Sequence, residues 1–199
     1  MMTMQQVGEV IQSGTGSFVA QSYSVNEAPP FGSLVRARLE GQETTIYGVV
    51  SKIETTPLDP SRRPVARGQQ AGSLAEIYQD HPQLKELFRT EFTATVVGHA
   101  LDGSLYYHLP PLPPEVHQLV YSCADEEVAA FTRELGFLPL LLSGQGTPGP
   151  EEVVAAFLRQ SARARGEEGH AFLVRAGKQL VPLLRGESVR LTSLLAKLR

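Results

Sequence analysis

Residues 31–54, FGSLVRARLEGQETTIYGVVSKIE, carry the clearest structural pattern in the sequence. The stretch contains two runs in which apolar and polar residues alternate, separated by a polar turn around Gly41. In the first run Val35 falls on the opposite face from Leu34 and Arg36. A repeat of two residues is typical of a β-strand and not of a helix. The stretch therefore predicts a β-hairpin with strands at 33–39 and 44–53.

The sequence on either side of this hairpin predicts further short strands. Residues 7–11 and 17–23 read as two strands joined by a glycine-rich turn, because glycine adopts positive φ without steric cost. Residues 91–99 and 105–109 read as another pair, joined by an Asp-Gly turn. About five short strands at such close spacing favour a small closed β-barrel over an open sheet with exposed edges.

Helices are predicted in an insertion and in the second half of the chain. Residues 55–72 form a polar loop, after which Ser73 caps a helix that His81-Pro82 divides into two short pieces. A further helix is expected over 125–135, with Gly136 as its C-cap. We therefore predict an α+β fold: a small closed β-barrel over 1–143 with a loop and short helix inserted at 55–90.

A boundary is predicted at 144–150, GQGTPGP, which reads as a Gly/Pro linker. Residues 151–199 would then form a small, mainly helical C-terminal subdomain. Its first helix begins at Pro150 and stops at Gly166, and an amphipathic helix over 188–198 ends the chain. Between them, residues 170–184 can form a helix or a hairpin. Gly177 and Pro182 favour a hairpin turning at 176–178.

The charge is distributed unevenly along the chain. The formal net charge is -3, but from residue 151 onward nine Lys or Arg face five Glu, a net of +4. Such polarity indicates an acidic partner or the ordinary solvation of small helices. The candidate interaction residues are arginines of the polar loop and of the first tail helix: Arg62, Arg63, Arg67, Arg159, Arg163 and Arg165.

Motifs that carry catalysis are not found in the sequence. The pair Gly177-Lys178 lacks the upstream glycine and the following Ser or Thr of a phosphate-binding loop. No G-x-S-x-G is present, and Cys123 is followed by Ala-Asp-Glu-Glu, whose charges would raise the pKa of the thiol. Cys123 is expected to be a small buried residue. We predict no catalytic residues, no cofactor and no enzymatic activity.

Three histidines recur at intervals of nine residues, at His99, His108 and His117. A hairpin turn and a proline-rich run separate them, so this spacing does not predict that they converge on a metal. The N-terminus also lacks the features of a secretory signal, and no apolar run approaches the roughly 18 residues of a membrane-spanning helix. The expectation is a cytoplasmic protein with no metal and no membrane association.

The strand region resembles a known family, the HAS barrel that precedes the ATPase domain in HerA-type ATPases and occurs in rotary ATP synthases. The resemblance lies in VGEVIQSGTGSFVAQSY, in PPFGSLVRARLEGQETTIYGVVSKIE and in LPPLPPEVHQLVYSCADEEVAAFTRELG, and it covers about residues 6–140. It implies a small closed barrel that packs subunits into rings or docks a partner. The ATPase domain with its phosphate loop has no counterpart here, so ATP hydrolysis is not implied.

The leading hypothesis is therefore a non-catalytic protein-interaction module, acting in oligomer assembly or partner docking through self-association or a protein partner. The alternative is a nucleic-acid-binding accessory protein of a DNA-processing machine, which the six arginines would favour. An enzyme of unrecognised type is the second alternative.

Overall fold

The computed structural model describes residues 5–39, 43–61, 64–66, 69, 72–144 and 148–198. Within them, the β-strands are β1 (Gln6–Gln12), β2 (Ser17–Gln21), β3 (Leu34–Arg38), β4 (Thr44–Pro57), β5 (Phe88–Leu101), β6 (Ser104–Tyr106) and β7 (Leu119–Ser122). The α-helices are α1 (Leu74–Asp80), α2 (Asp125–Phe131), α3 (Leu138–Leu142), α4 (Pro150–Arg163), α5 (Gly169–Leu183) and α6 (Ser188–Ala196), and 3-10 helices span Pro82–Glu86 and Gly166–Glu168.

Six of these strands form a closed antiparallel barrel. They follow the order β2-β1-β7-β3-β4-β5, and pairing of β5 with β2 closes the ring. The short strand β6 lies outside the ring and pairs with the C-terminal end of β5. The sequence-based prediction of a closed barrel within an α+β fold is confirmed.

Apolar side chains from all six strands fill the barrel interior. Val35 and Leu39 of the opening stretch belong to this interior cluster, whereas Leu34 points outward and packs under the helices. Phe18 and Phe92, from the neighbouring strands β2 and β5, are its largest members. The alternation read from the sequence therefore does sort side chains between the two faces of the barrel wall. The turn predicted around Gly41 lies outside the described residues.

Strands β4 and β5 pair over their whole length, from Thr44 opposite Leu101 to Pro57 opposite Phe88. Their far ends extend past the barrel as a two-stranded arm, which carries α1 and the Pro82–Glu86 helix. The hydroxyl of Ser73 accepts a hydrogen bond of 3.2 Å from the backbone N–H of Glu76, so the predicted cap is confirmed.

Helices α2 to α6 form a layer over the outer face of β3, β4 and β5. Leu34, Val49 and Val97 contribute to one buried cluster with the helices, so the layer and the barrel wall share a core. At Gly32, where φ is +82°, an added Cβ would come within 2.6 Å of Ala156 on α4. A glycine thus allows α4 to approach the barrel. The division into two domains at 144–150 stays a prediction, and residues 145–147 lie outside the described residues.

The hairpin expected over 170–184 is wrong, because residues 170–183 belong to the single helix α5 and Leu184 is its C-cap. Its buried residues Phe172, Ala176 and Leu180 recur every fourth position. Burial of this apolar stripe outweighs the cost of placing Gly177 and Pro182 in a helix. Pro182 lies in the last turn, where little helix remains to be disrupted. Gly177 faces α6, where an added Cβ would lie 3.3 Å from Leu195 Cδ2.

The expected C-cap at Gly136 is also wrong. Helix α2 ends at Phe131 with Thr132 as its C-cap, and the short helix α3 follows where no helix was expected. Gly136 instead lies under the ring of Tyr107, since an added Cβ would come within 2.8 Å of that ring. The glycine serves a close side-chain contact that the local sequence does not reveal.

Candidate functional site

One end of the barrel carries the β5–β6 turn. Strands β1 and β5 are each antiparallel to β2, so both end at this same side of the barrel. His99 Nδ1 lies 3.3 Å from the carbonyl oxygen of His108, and the hydroxyl of Ser13, just beyond β1, donates to the carbonyl oxygen of Pro114. Residues 108–114 therefore cross this side from the end of β5 to the end of β1. We call it the hairpin end.

Large apolar side chains are exposed along this crossing. Pro110 and Pro114 are buried and anchor the segment, whereas Leu112 between them is 56% exposed. Residues 104–114, SLYYHLPPLPP, contain no Asp, Glu, Lys or Arg. A surface of this kind with exposed apolar groups is typical of an interaction site. We name the exposed large apolar side chains of this segment and of its flanking residues the hairpin-end patch. They are Leu101, Tyr106, Leu109, Leu112 and Val116.

An aromatic cluster formed by His99, Tyr106 and His108 joins the patch through Tyr106. His99 is 3% exposed and stacks on Tyr106 with ring centroids 5.3 Å apart, while His108 meets the His99 ring edge-on at 5.0 Å. The spacing does not predict that the histidines converge on a metal, and the structure brings two of them into ring contact because β6 pairs back on β5 and returns His108 to His99. His117 lies apart, 3.0 Å from Glu9. The cluster orients Tyr106 at the hairpin end.

Strand β6 offers a second feature of an interaction site. Among the described residues it pairs on one side only, with β5. Its other edge presents backbone donors and acceptors that a further strand can pair with. It is three residues long, and Pro110 follows it closely, so an added strand would be short.

A polar cluster joins the barrel wall to α2. Glu127 accepts a hydrogen bond of 3.0 Å from the Tyr47 hydroxyl and lies 3.0 Å from Arg36 Nη1. Burial, reinforced by the Glu127 carboxylate, raises the pKa of Tyr47 and of the nearby Cys123 thiol above their ordinary values. The direction expected for the thiol pKa is found, but its main cause is burial, and Glu127 is the residue of the acidic run that adds to it. Both shifts favour the protonated groups, and the cluster joins α2 to the barrel wall.

The arginines chosen from the sequence have different surroundings. Arg159 donates to the carbonyl oxygen of Lys197, and Arg163 is exposed. Arg165 lies between α2, α4 and α5, where its guanidinium donates to three oxygens and stacks 4.1 Å over the ring of Phe172. Their role in an interaction stays a prediction. The loop arginines Arg62, Arg63 and Arg67 lie outside the described residues.

Sequence reasoning did not select the patch residues. The available signal was the run of leucines among prolines at 109–114, since prolines hold a segment extended and prevent it from burying all its side chains. Within the described ranges no group of three or more His, Cys, Asp or Glu could hold a metal ion. No helix in the same residues is long and apolar enough to cross a membrane. No family model and no curated protein matches this chain.

Proposed function

We propose that the chain is a non-catalytic protein-interaction module that acts in oligomer assembly, and that its hairpin end binds a second copy of the chain. This is the role that the resemblance to the barrel of HerA-type ATPases implies. The single observation that carries it is the hairpin-end patch, a set of exposed apolar side chains beside the free edge of β6.

A second copy suits this surface on charge and on symmetry. A twofold axis brings the same residues of two copies together, so any charge would face its like. Residues 104–114 carry no Asp, Glu, Lys or Arg, so like charges of the two copies are confined to the rim of the patch, at Asp102 and Glu115. The free edges of two β6 strands can pair antiparallel across such an axis, and the exposed leucines and Tyr106 then become buried.

The experiment measures molar mass by light scattering after size-exclusion chromatography, at low and high protein concentration. We expect a concentration-dependent species of twice the monomer mass of 21.7 kDa. Leu112→Lys should return the protein to the monomer, because two ammonium groups would face each other across the axis. Val189→Lys is the matched control, since Val189 is 82% exposed on α6, away from the hairpin end.

Three results would contradict the proposal. A wild-type protein that stays monomeric at the highest concentration would show that the chain does not bind a second copy of itself. A dimer that persists in both Leu112→Lys and Tyr106→Lys would place the contact on another surface. A monomer that binds a different protein through the patch would contradict the choice of a second copy.

A further inference from the structure

A cleft lies at the end of the barrel opposite the hairpin end. Its walls are the segment that follows β2, over residues 21–27, and the arm tip with α1, Lys85 and the first residues of β5. Its volume is about 620 Å³. Pockets for small ligands span roughly 300–1,000 Å³. We call this site the arm cleft.

The base of the arm cleft is held by side-chain hydrogen bonds. The hydroxyl of Thr90 accepts a hydrogen bond of 2.7 Å from the backbone N–H of Asn26 and lies 2.8 Å from the Thr55 hydroxyl. Thr55 also donates to Asn26 Oδ1 at 3.2 Å. These bonds hold Asn26 at a φ of +65°, a conformation that non-glycine residues seldom adopt. The wall formed by residues 21–27 is thus fixed before any ligand arrives.

Two tyrosine rings line the arm cleft. The hydroxyl of Tyr23 accepts a hydrogen bond of 2.7 Å from Gln6 Nε2, and that of Tyr78 is held at 3.4 Å by Asn26 Nδ2. Tyr23 is 57% exposed, so its ring has a free face. Rings fixed at their hydroxyl ends offer flat surfaces on which a planar ligand can stack.

Cationic groups lie beside these rings. The ammonium of Lys85 is 5.5 Å from the centre of the Tyr78 ring and has no ion pair within the described residues. Arg89 forms an ion pair with Glu91, in which Nε lies 2.7 Å from Oε1 without the alignment of a hydrogen bond. The guanidinium of Arg89 has further N–H donors. Glu27 is the acidic residue of the lining. Glu27 and Glu91 balance the two cations in charge. The preference for an anionic ligand therefore depends on the ammonium of Lys85, which has no ion pair among the described residues, and on the remaining N–H donors of Arg89.

The lining also contains a buried hydroxyl without a partner. Ser22 is 4% exposed, and its Oγ has no hydrogen-bond partner among the described residues. A buried hydroxyl left unpaired costs free energy, so a polar group of a ligand at this position would be stabilised.

We propose that the arm cleft binds a nucleotide unit. The planar base stacks on the rings of Tyr23 and Tyr78, and the phosphate binds Lys85 and Arg89. A nucleotide unit can come from a free mononucleotide or from a single strand of nucleic acid, and both present this pairing of base and phosphate. The inference does not rest on the proposed function, because the arm cleft and the hairpin-end patch lie at opposite ends of the barrel.

The test is isothermal titration calorimetry of the full chain with adenosine monophosphate, adenosine, inorganic phosphate and a short oligothymidylate. We expect the mononucleotide or the oligonucleotide to bind at least about tenfold more tightly than adenosine or phosphate alone, since stacking and charge act together. Tighter binding of the oligonucleotide would identify a strand as the source, and binding of the mononucleotide alone would identify the free nucleotide. No heat from either ligand at millimolar concentration would overturn the proposal, as would equal binding of adenosine.

Substitutions locate the binding in the arm cleft. Tyr78→Leu should weaken binding about tenfold, because an aliphatic side chain cannot stack, whereas Tyr78→Phe should retain it. Lys85→Gln should weaken binding of the mononucleotide, and Lys178→Gln, at an exposed lysine on α5, is its control. Binding that is unchanged in both Tyr78→Leu and Lys85→Gln would contradict this site. Thermal melting of each variant separates lost binding from lost folding.

Discussion

The barrel interior and the helical layer are built in different ways. The interior consists of aliphatic side chains and two phenylalanines that alternate along paired strands. The layer depends on rings that come from distant segments: Tyr47 lies 4.9 Å from Phe131, and Phe137 meets Phe157 edge-on at 5.0 Å. A repeating local pattern therefore specifies the barrel interior, whereas contacts between distant segments specify the core of the helical layer.

The largest expected effect tests whether these two cores unfold together. Phe157→Ala removes a fully buried ring of α4 and should lower the free energy of unfolding by about 3–5 kcal/mol. Phe92→Ala, the matched change in the barrel interior, should cost a similar amount. Because Leu34, Val49 and Val97 belong to the layer's core, we expect both variants to shift one common transition in urea.

Two separate transitions in urea, of which Phe157→Ala shifts one and Phe92→Ala shifts the other, would contradict this expectation. They would instead separate the barrel from the helical layer, whose first helices α2 and α3 precede the boundary that the sequence predicts at 144–150. The comparison would then describe two folding units rather than two cores of one unit.

The next effect concerns the point at which the layer approaches the barrel. Gly32→Ala introduces a Cβ within 2.6 Å of Ala156 at a φ of +82°, and we expect it to cost about 2–4 kcal/mol from the clash and the left-handed backbone together. Gly103→Ala is the control, because its φ is +77° but an added Cβ would meet nothing within 4 Å. The difference between the two free energies of unfolding, measured in urea, isolates the close approach of α4. Equal costs would show that α4 does not depend on it.

The same contrast explains how much of the molecule the sequence predicts. The strands and the Ser73 cap depend on neighbours in sequence, so alternation and local hydrogen bonding predict them well. The helix α5 was missed because Gly177 and Pro182 are local signals, whereas the burial of Phe172 and Leu180 depends on the layer around them. The candidate site was missed for a similar reason. Its leucines are exposed because of the path that residues 108–114 take across the barrel end, and His99 and His108 meet because β6 pairs with β5. Spacing along the chain does not encode these contacts.

A smaller effect is expected at the polar contact within the layer. Arg165 donates to the carbonyl oxygens of Ser161 and Ala129, both at 2.8 Å, and to the Thr132 hydroxyl at 2.6 Å. Arg165→Met keeps an apolar stem but removes these donors, and we expect a loss of about 1–3 kcal/mol in the free energy of unfolding. Arg163→Met, at the exposed last residue of α4, should change the free energy of unfolding by less than about 0.5 kcal/mol. A similar value for both, measured in urea, would mean that the guanidinium contributes little to joining the helices.

The smallest effect depends on pH and concerns the outer rim of the layer. Burial acts to raise the pKa of Glu151. Backbone hydrogen bonding and the guanidinium of Arg190, whose Nε lies 2.5 Å from Glu151 Oε1, act in the opposite direction. Their combined effect is larger, so the pKa of Glu151 is lowered below its ordinary value of 4.5. A carboxyl whose pKa is lowered on folding stabilises the protein above its unfolded pKa, and this stabilisation is lost as pH falls through the folded value. Glu151→Gln should therefore be less stable than wild type in urea at about pH 7, and the difference should disappear by about pH 3.

Glu167→Gln is the control, since Glu167 forms no ion pair within the described part of the chain. A difference that persists unchanged at low pH would show that the Glu151→Gln substitution disturbs packing and that the ion pair does not hold α6 to α4.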